Sequence, residues 1–112
     1  MKDIKEIIQI AISYDCACSF KIKHEGEPTP FGRPFLPSQN YVEISEYGPI
    51  RFADIDAIYI NPICKKEHGR YARVIIEDKT SSFVKKFIEE HIEYVIIENI
   101  IISIQIELVK TL

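Results

Sequence analysis

Glycine and histidine are scarce in this sequence, and tryptophan is absent. Only four glycines occur in 112 residues, and none of them forms a glycine-rich loop of the kind that cradles nucleotide phosphates. The three histidines belong to no His-Glu-x-x-His motif, and the serines belong to no Gly-x-Ser-x-Gly motif. These absences predict a protein that is not an enzyme and that carries no cofactor.

Long apolar runs are also missing. The nearest approach to one, 94–97 followed by 100–102, is interrupted by Glu98 and Asn99, whereas a membrane helix needs about 20 apolar residues. Residues 1–6 carry charges where a signal peptide would need its apolar region. We therefore expect a cytoplasmic protein that does not enter a membrane.

The overall composition is that of an ordinary soluble domain. A net charge of −3 argues against nucleic acid as the main partner, because phosphate neutralisation is the largest sequence-independent term in that binding. Isoleucine accounts for 23 residues against three leucines, which raises β propensity throughout the chain. The length predicts a single domain, 1–112. Four of the six prolines lie within 25–40, which predicts a long loop.

Two segments carry the 3.6-residue spacing of an amphipathic helix. The first, 3–14, begins at Asp3, a residue type that caps helix N-termini. The second runs from about 81 to 92. Its apolar spacing can be continued to residue 96, but 94–97 is a β-branched and aromatic run that favours a strand. We therefore end the second helix before that run.

Alternating apolar residues predict the strands. The C-terminal strand, about 100–109, is the clearest, and we expect it to form a hairpin with 94–97 across a turn at Glu98-Asn99. The other predicted strands are 16–23, 41–45, 50–52, 57–61 and 70–77, with a loop at 61–69 before the last of them. The sequence thus predicts an α+β domain, in which a mainly antiparallel sheet of about five to six strands packs against two helices.

The three cysteines raise the question of a metal site. Cys16, Cys18, Cys64 and His68 are ligand types that suit tetrahedral zinc. Cys16 and Cys18, however, fall on one face of a predicted strand, where a Cys-x-Cys pair cannot form the usual zinc knuckle, and buried cysteine is common without any ligand role. We predict no metal, and the sequence leaves open whether the four residues converge. A cytosol would keep the thiols reduced.

Histidines and paired carboxylates give weaker signals. His91 falls on the apolar side of the second predicted helix, where a histidine is more often a packing residue than a catalytic base. His24 and His68 lie in or beside predicted loops. Asp54 and Asp56 flank a predicted kink, and we interpret them as surface acids rather than as a two-carboxylate catalytic site.

The second predicted helix carries an acidic face. A charge run of this kind is usually only a solvated surface, but complementary charge also speeds the encounter with a cationic partner. With no catalytic set, we expect a small protein-binding module, most consistent with an immunity-type inhibitor that occludes a cationic, nuclease-like toxin. The predicted partner-binding residues are Glu89, Glu90, Glu93, Asp54 and Asp56.

The alternative is a small nucleic-acid-binding or regulatory β-barrel domain. Lys65, Lys66, Arg70 and Arg73, with Tyr71 among them, could form a phosphate-binding edge. A homodimer is also open, because one face of the last predicted strand is half apolar and could pair across two copies. That face consists of Ile101, Ser103, Gln105, Glu107 and Val109.

Overall fold

The α+β class is confirmed. The structure is a computed structural model that describes residues 4–37, 40–45, 47–67 and 74–106. Two helices and nine strands lie in these ranges, and the strands form three antiparallel sheets. The strand count exceeds the predicted five to six, in part because two segments expected to be loops, the proline-rich segment and residues 61–69, each contribute a strand.

The three sheets differ in size. The largest has the order β1-β5-β9-β8, the second the order β2-β3-β4, and the third is the hairpin β6-β7. Within the described residues these sheets stay open and do not close into a barrel. The strands are β1 (Ala17–Ile22), β2 (Pro34–Phe35), β3 (Tyr41–Ile44), β4 (Gly48–Arg51), β5 (Ile55–Asn61), β6 (Ile63–Glu67), β7 (Val74–Asp78), β8 (Val95–Ile97) and β9 (Ile101–Gln105).

The first helix, α1 (Ile4–Ser13), contributes a large part of the core. Its apolar side chains recur at helical spacing, and Ile7, Ile8 and Ala11 are completely buried. The helix ends because Asp15 adopts a left-handed conformation, with φ 59°. The N–H groups of Asp15 and Cys16 then donate to the carbonyls of Ile12 and Ala11, at 3.0 and 3.1 Å, which is the hydrogen-bond pattern of a Schellman motif.

The second helix, α2 (Thr80–Glu89), ends earlier than predicted, and for the same reason as α1. His91 adopts φ 56°, and its N–H donates to the carbonyl of Ile88 while that of Ile92 donates to Phe87, at 3.3 and 2.9 Å. The interpretation of His91 as a packing residue on the apolar side of the helix is therefore wrong. It lies exposed in the turn that ends the helix.

The hairpin at the end of the described chain is confirmed. β8 pairs with β9 in antiparallel register, with Ile96 opposite Ile102. Glu98 and Asn99 both adopt positive φ, at 53° and 63°, so they turn the chain as expected. Residues 107–109 of the predicted last strand lie outside the described residues.

The core surrounds β5, which lies between β1 and β9. Ile58 and Ile60 on β5 are completely buried, as are Phe83 and Phe87 of α2. Because β9 pairs with β5 on one side and with β8 on the other, both of its edges are occupied. In the part of the chain that the structure describes, no helix has the length and hydropathy required to cross a membrane.

Candidate functional site

The predicted glutamates do not share one helix face. Glu89 is the last residue of α2 and is exposed, whereas Glu93 lies beyond the helix end and is also exposed. Glu90 is half-buried, and its carboxylate lies 3.5 Å from the ammonium of Lys86, one helical turn earlier. Part of the negative charge at Glu90 is therefore balanced within the helix, and Glu89 and Glu93 are the more available acids.

The predicted aspartates lie at a different place in the fold. Asp54 closes the short 3-10 turn Phe52–Asp54, and its carboxylate accepts two hydrogen bonds from the guanidinium of Arg51, at 3.0 and 3.3 Å. Asp56 is half-buried near the start of β5. The start of α2 lies beyond the other end of β5, where the N–H of Lys79 donates to the Pro62 carbonyl. The five predicted residues thus occupy separate elements.

An exposed apolar edge next to the glutamates was missed by the sequence analysis. Val95, Ile96 and Ile97 form all of β8, and they are 61%, 41% and 37% exposed. Ile88 on α2 and Ile100 in the following turn are also exposed, at 64% and 47%. The apolar run 94–97 was visible in the sequence, but such a run more commonly lies in the core than on the surface. Only the order of the strands shows that this run lies at a sheet edge.

The path of the chain explains why β8 lies at the edge. Ile92 is buried and the ring of Tyr94 packs on Phe87, with centroids 5.8 Å apart. These contacts attach the chain to the end of α2, and residues 95–97 then pair with the outer edge of β9. Within the described ranges no strand pairs with the other side of β8. As far as the described residues go, its outward N–H and C=O groups therefore lack a strand partner.

The stretch of chain that contains this edge is acidic. The twenty residues from Phe87 to Ile106 include four glutamates and no lysine or arginine. Glu98 lies in the hairpin turn and is exposed, like Glu89 and Glu93. A shallow depression of about 460 Å³ lies along α2, and its lining includes Val84, Lys85 and Ile88. We call the β8 strand, with Ile88, Ile100 and these three glutamates, the β8 surface.

The structure brings two of the predicted metal-ligand residues together. The Sγ atoms of Cys16 and Cys64 lie 2.6 Å apart, and both residues are buried. Cys18 is completely buried in β1, and His68 lies outside the described residues. Among the residues that the structure describes, no three His, Cys, Asp or Glu side chains form a group that could hold a metal ion. The absence of metal remains a prediction, since His68 is not covered.

The basic edge of the alternative function falls largely outside the described chain. The backbone of Lys65 and Lys66 belongs to β6, which corrects the expectation of a loop there. The remaining predicted phosphate contacts, Arg70, Tyr71 and Arg73, are outside the described residues. The predicted dimer face is partly covered, because Ser103 is buried and Ile101 half-buried.

The chain was compared with protein-family models, with curated proteins and with solved structures, and none of them matches it.

Proposed function

We propose that this chain is a small protein-binding module that takes a cationic partner on the β8 surface. The observation that carries the proposal is the exposed, apolar edge strand β8 in a stretch of chain whose charges are all negative. Proteins usually protect such edges with lysine, proline, a bulge or a covering segment. An edge that keeps three apolar residues exposed is suited to docking another chain.

The composition of the β8 surface is that of an interface. Specific interfaces combine an apolar centre with a polar rim, and here the isoleucines of β8 supply the centre and Glu89, Glu93 and Glu98 the rim. An extended segment of a partner could pair with β8 through main-chain hydrogen bonds and contact the exposed side chains on both faces. Side-chain chemistry would then set specificity, and the backbone would supply affinity.

The charge of the rim favours a basic partner over a second copy of this chain. Two copies paired through β8 would bring both sets of glutamates to one seam, and like charges placed together at an interface weaken binding. A cationic partner would gain from the same arrangement, both in association rate and in specificity. Asp54 and Asp56 remain part of the proposal as a second acidic contact for a large partner.

An immunity-type inhibitor fits these features. Such a protein neutralises a cationic, nuclease-like toxin by covering its active surface, and it needs a complementary surface rather than a catalytic centre. Support comes from the acidic rim, from the apolar edge and from the absence of catalytic motifs in the sequence. The proposal therefore names a partner class, a basic protein encoded beside this chain, and a mode of action, occlusion.

The test uses a matched pair of charge-reversal variants of the full chain. One carries Glu89→Lys with Glu93→Lys, and the control carries Glu25→Lys with Glu27→Lys, two exposed acids in the proline-rich segment. Both variants change the net charge equally. We expect the first to weaken binding to a basic protein encoded by a neighbouring gene by about tenfold or more, and the control to bind like the natural chain.

Binding is measured at low and high salt, together with the toxicity or nuclease activity of the partner. The natural chain should suppress that activity, and added salt should weaken its binding. The proposal is contradicted when no co-encoded protein binds, or when binding is insensitive both to salt and to reversal of Glu89 and Glu93. Steeply salt-dependent binding of short RNA or DNA by the chain would instead favour the nucleic-acid alternative.

A further inference from the structure

Two buried thiols meet beyond one end of the largest sheet, and no part of the proposed function uses them. The Sγ atoms of Cys16 and Cys64 are 2.6 Å apart, whereas a disulfide bond is about 2.05 Å long. The two sulfurs therefore have to approach by only about half an ångström to bond. The side chains are 1% and 6% exposed, so the pair is enclosed by the protein.

The register of the sheet produces this pair. β1 and β5 are antiparallel, with Ala17 opposite Asn61. The residue before β1 and the residues after β5 consequently leave the sheet at the same end. Cys16 directly precedes Ala17 and Cys64 follows Asn61 by three residues, so both thiols face the same small space. The carbonyls of Tyr14 and Pro62 accept their S–H groups, at 3.4 to 4.0 Å.

The surroundings set how readily the pair reacts. Burial, followed by the hydrogen bond to Cys64, raises the pKa of the Cys16 thiol well above its ordinary value, and Lys79 acts in the opposite direction. A neutral thiol is a poor nucleophile, so the closed fold protects the pair. Reaction requires an opening that admits the oxidant, and Cys64 lies on β6, in a hairpin that forms a separate two-stranded sheet.

We propose that Cys16 and Cys64 form an intramolecular disulfide when the reduced protein meets a low-molecular-weight disulfide. In the first step one protein thiolate attacks that disulfide and releases one small thiol, leaving a mixed disulfide on the protein. The second protein thiolate then attacks the protein sulfur of the mixed disulfide and releases the second small thiol. The protein loses two electrons and two protons, and the oxidant leaves as two thiols.

The bond would tie the β6-β7 hairpin and the start of α2 to the main sheet. It closes a loop from residue 16 to residue 64, and cross-linking a loop of this length constrains the unfolded chain strongly. We expect the oxidised protein to melt about 10 °C higher than the reduced protein. The inference is independent of the partner proposal, because it can be tested on the isolated chain.

The experiment exposes the full, reduced chain to oxidised glutathione. The protein is then denatured, alkylated and analysed by intact mass and peptide mapping. We expect one alkylated cysteine, Cys18, where the reduced protein shows three, together with a cross-linked pair of peptides containing Cys16 and Cys64. Low concentrations of urea should accelerate the reaction, because the thiols react through a local opening.

Three variants separate this bond from other outcomes. Cys16→Ser and Cys64→Ser should each abolish the cross-link and the rise in Tm, whereas Cys18→Ala should retain both. If a variant fails to fold, the peptide map and the Tm of the natural chain decide whether the bond forms. Stable glutathione adducts, a cross-link that includes Cys18, covalent dimers, three alkylated thiols after oxidation, or zinc bound by the pair would each overturn the proposal.

Discussion

β1 and β8 are the two outer strands of the same sheet, and among the described residues only β1 is covered. The proline-rich segment pairs with β1 through the N–H and C=O groups of Cys18 and Gly32, at 2.8 and 3.0 Å. The segment is held further by Thr29, whose N–H donates to the carbonyl of Phe20 and whose hydroxyl accepts the N–H of Phe20, both at 3.0 Å. β8 has no such cover among the described residues, and all three of its side chains are exposed.

Under the proposed function, the difference separates residues that stabilise the fold, at β1, from residues that bind a partner, at β8. At β1 the covering segment buries Ser19, whose hydroxyl donates to the carbonyl of Thr29. Alternation along the strand places Ser19 on the face opposite Cys18 and Phe20, yet all three are buried, so the cover overrides the alternation of the sequence. At β8 the apolar residues remain in contact with solvent, which costs free energy unless a partner covers them. Changes at β1 should therefore affect folding, and changes at β8 should affect association.

The largest difference in stability is expected between two residues that face each other across β8 and β9. Ile96 on β8 lies opposite Ile102 on β9, and only Ile102 is completely buried. We expect Ile102→Ala to lower the free energy of unfolding by about 2–5 kcal/mol, because it leaves a cavity. Ile96→Ala should lower it by less than about 1 kcal/mol. Urea denaturation of both variants measures the contrast, and equal losses would show that β8 is covered.

A smaller loss is expected where the covering segment approaches the second sheet. A Cβ atom on Gly32 would lie 2.6 Å from Cγ2 of Ile44 and 2.9 Å from the backbone oxygen of Ser45. Gly32→Ala should lower the free energy of unfolding by about 1–3 kcal/mol, because the backbone has to shift.

Gly26→Ala is the control for Gly32→Ala. It lies in the same segment, and a Cβ atom there meets no atom within 4 Å. It should leave stability unchanged or raise it by about 0.4–1 kcal/mol. The same thermal or urea denaturation measures both variants. A loss at Gly26 as large as that at Gly32 would mean that glycine flexibility, rather than close packing of the cover, determines stability here.

The smallest effect on stability is expected at the left-handed residue that follows each helix. Asp15 and His91 hold the same left-handed position after α1 and α2, and glycine adopts that conformation without a Cβ penalty. His91→Gly should raise the free energy of unfolding by about 0.5–1 kcal/mol. Asp15→Gly should gain less, because Asp15 also pairs with Arg33 of the covering segment at 2.5 Å. Thermal melts compare the two gains, and a larger gain at Asp15 would contradict this account.

Much of the fold could be predicted, because patterns within a few residues determine its helices and its last hairpin. The spacing of isoleucines in 4–11 is sufficient for α1, and Glu98-Asn99 is a turn that interrupts two apolar runs. The end of α2 was harder to place, because the helical spacing continues past the point where His91 turns the chain. The strands within the proline-rich segment and within 61–69 were missed because Pro34–Phe35 is only two residues long and Ile63–Glu67 does not alternate apolar with polar residues. Each is recognised only by its pairing with the next strand along the chain, β3 or β7.

The candidate site, like the fold, has one part that the sequence predicts and one part that it does not. The acidic residues could be read directly from the chain, and Glu89 and Glu93 do lie exposed. The apolar part of the β8 surface could not be recognised, because Val95 and Ile96 differ from core residues only in their place at the end of the sheet. The meeting of Cys16 with Cys64 was equally hidden, because it depends on the register of β1 against β5.

The sequence by itself determined the α+β class, the positions of the two helices, the last hairpin and the negative charge around it. These follow from periodicity, turn chemistry and composition, which act over a few residues. Only the tertiary structure decided which sheet edge is covered, where the chain leaves α2 and which thiols meet. The end of α2 depends on which residue adopts the left-handed conformation, and the helical spacing continues past that residue. The covered edge and the meeting of the thiols depend on strand order and register, and a short apolar run is compatible with several strand orders until the whole chain has packed.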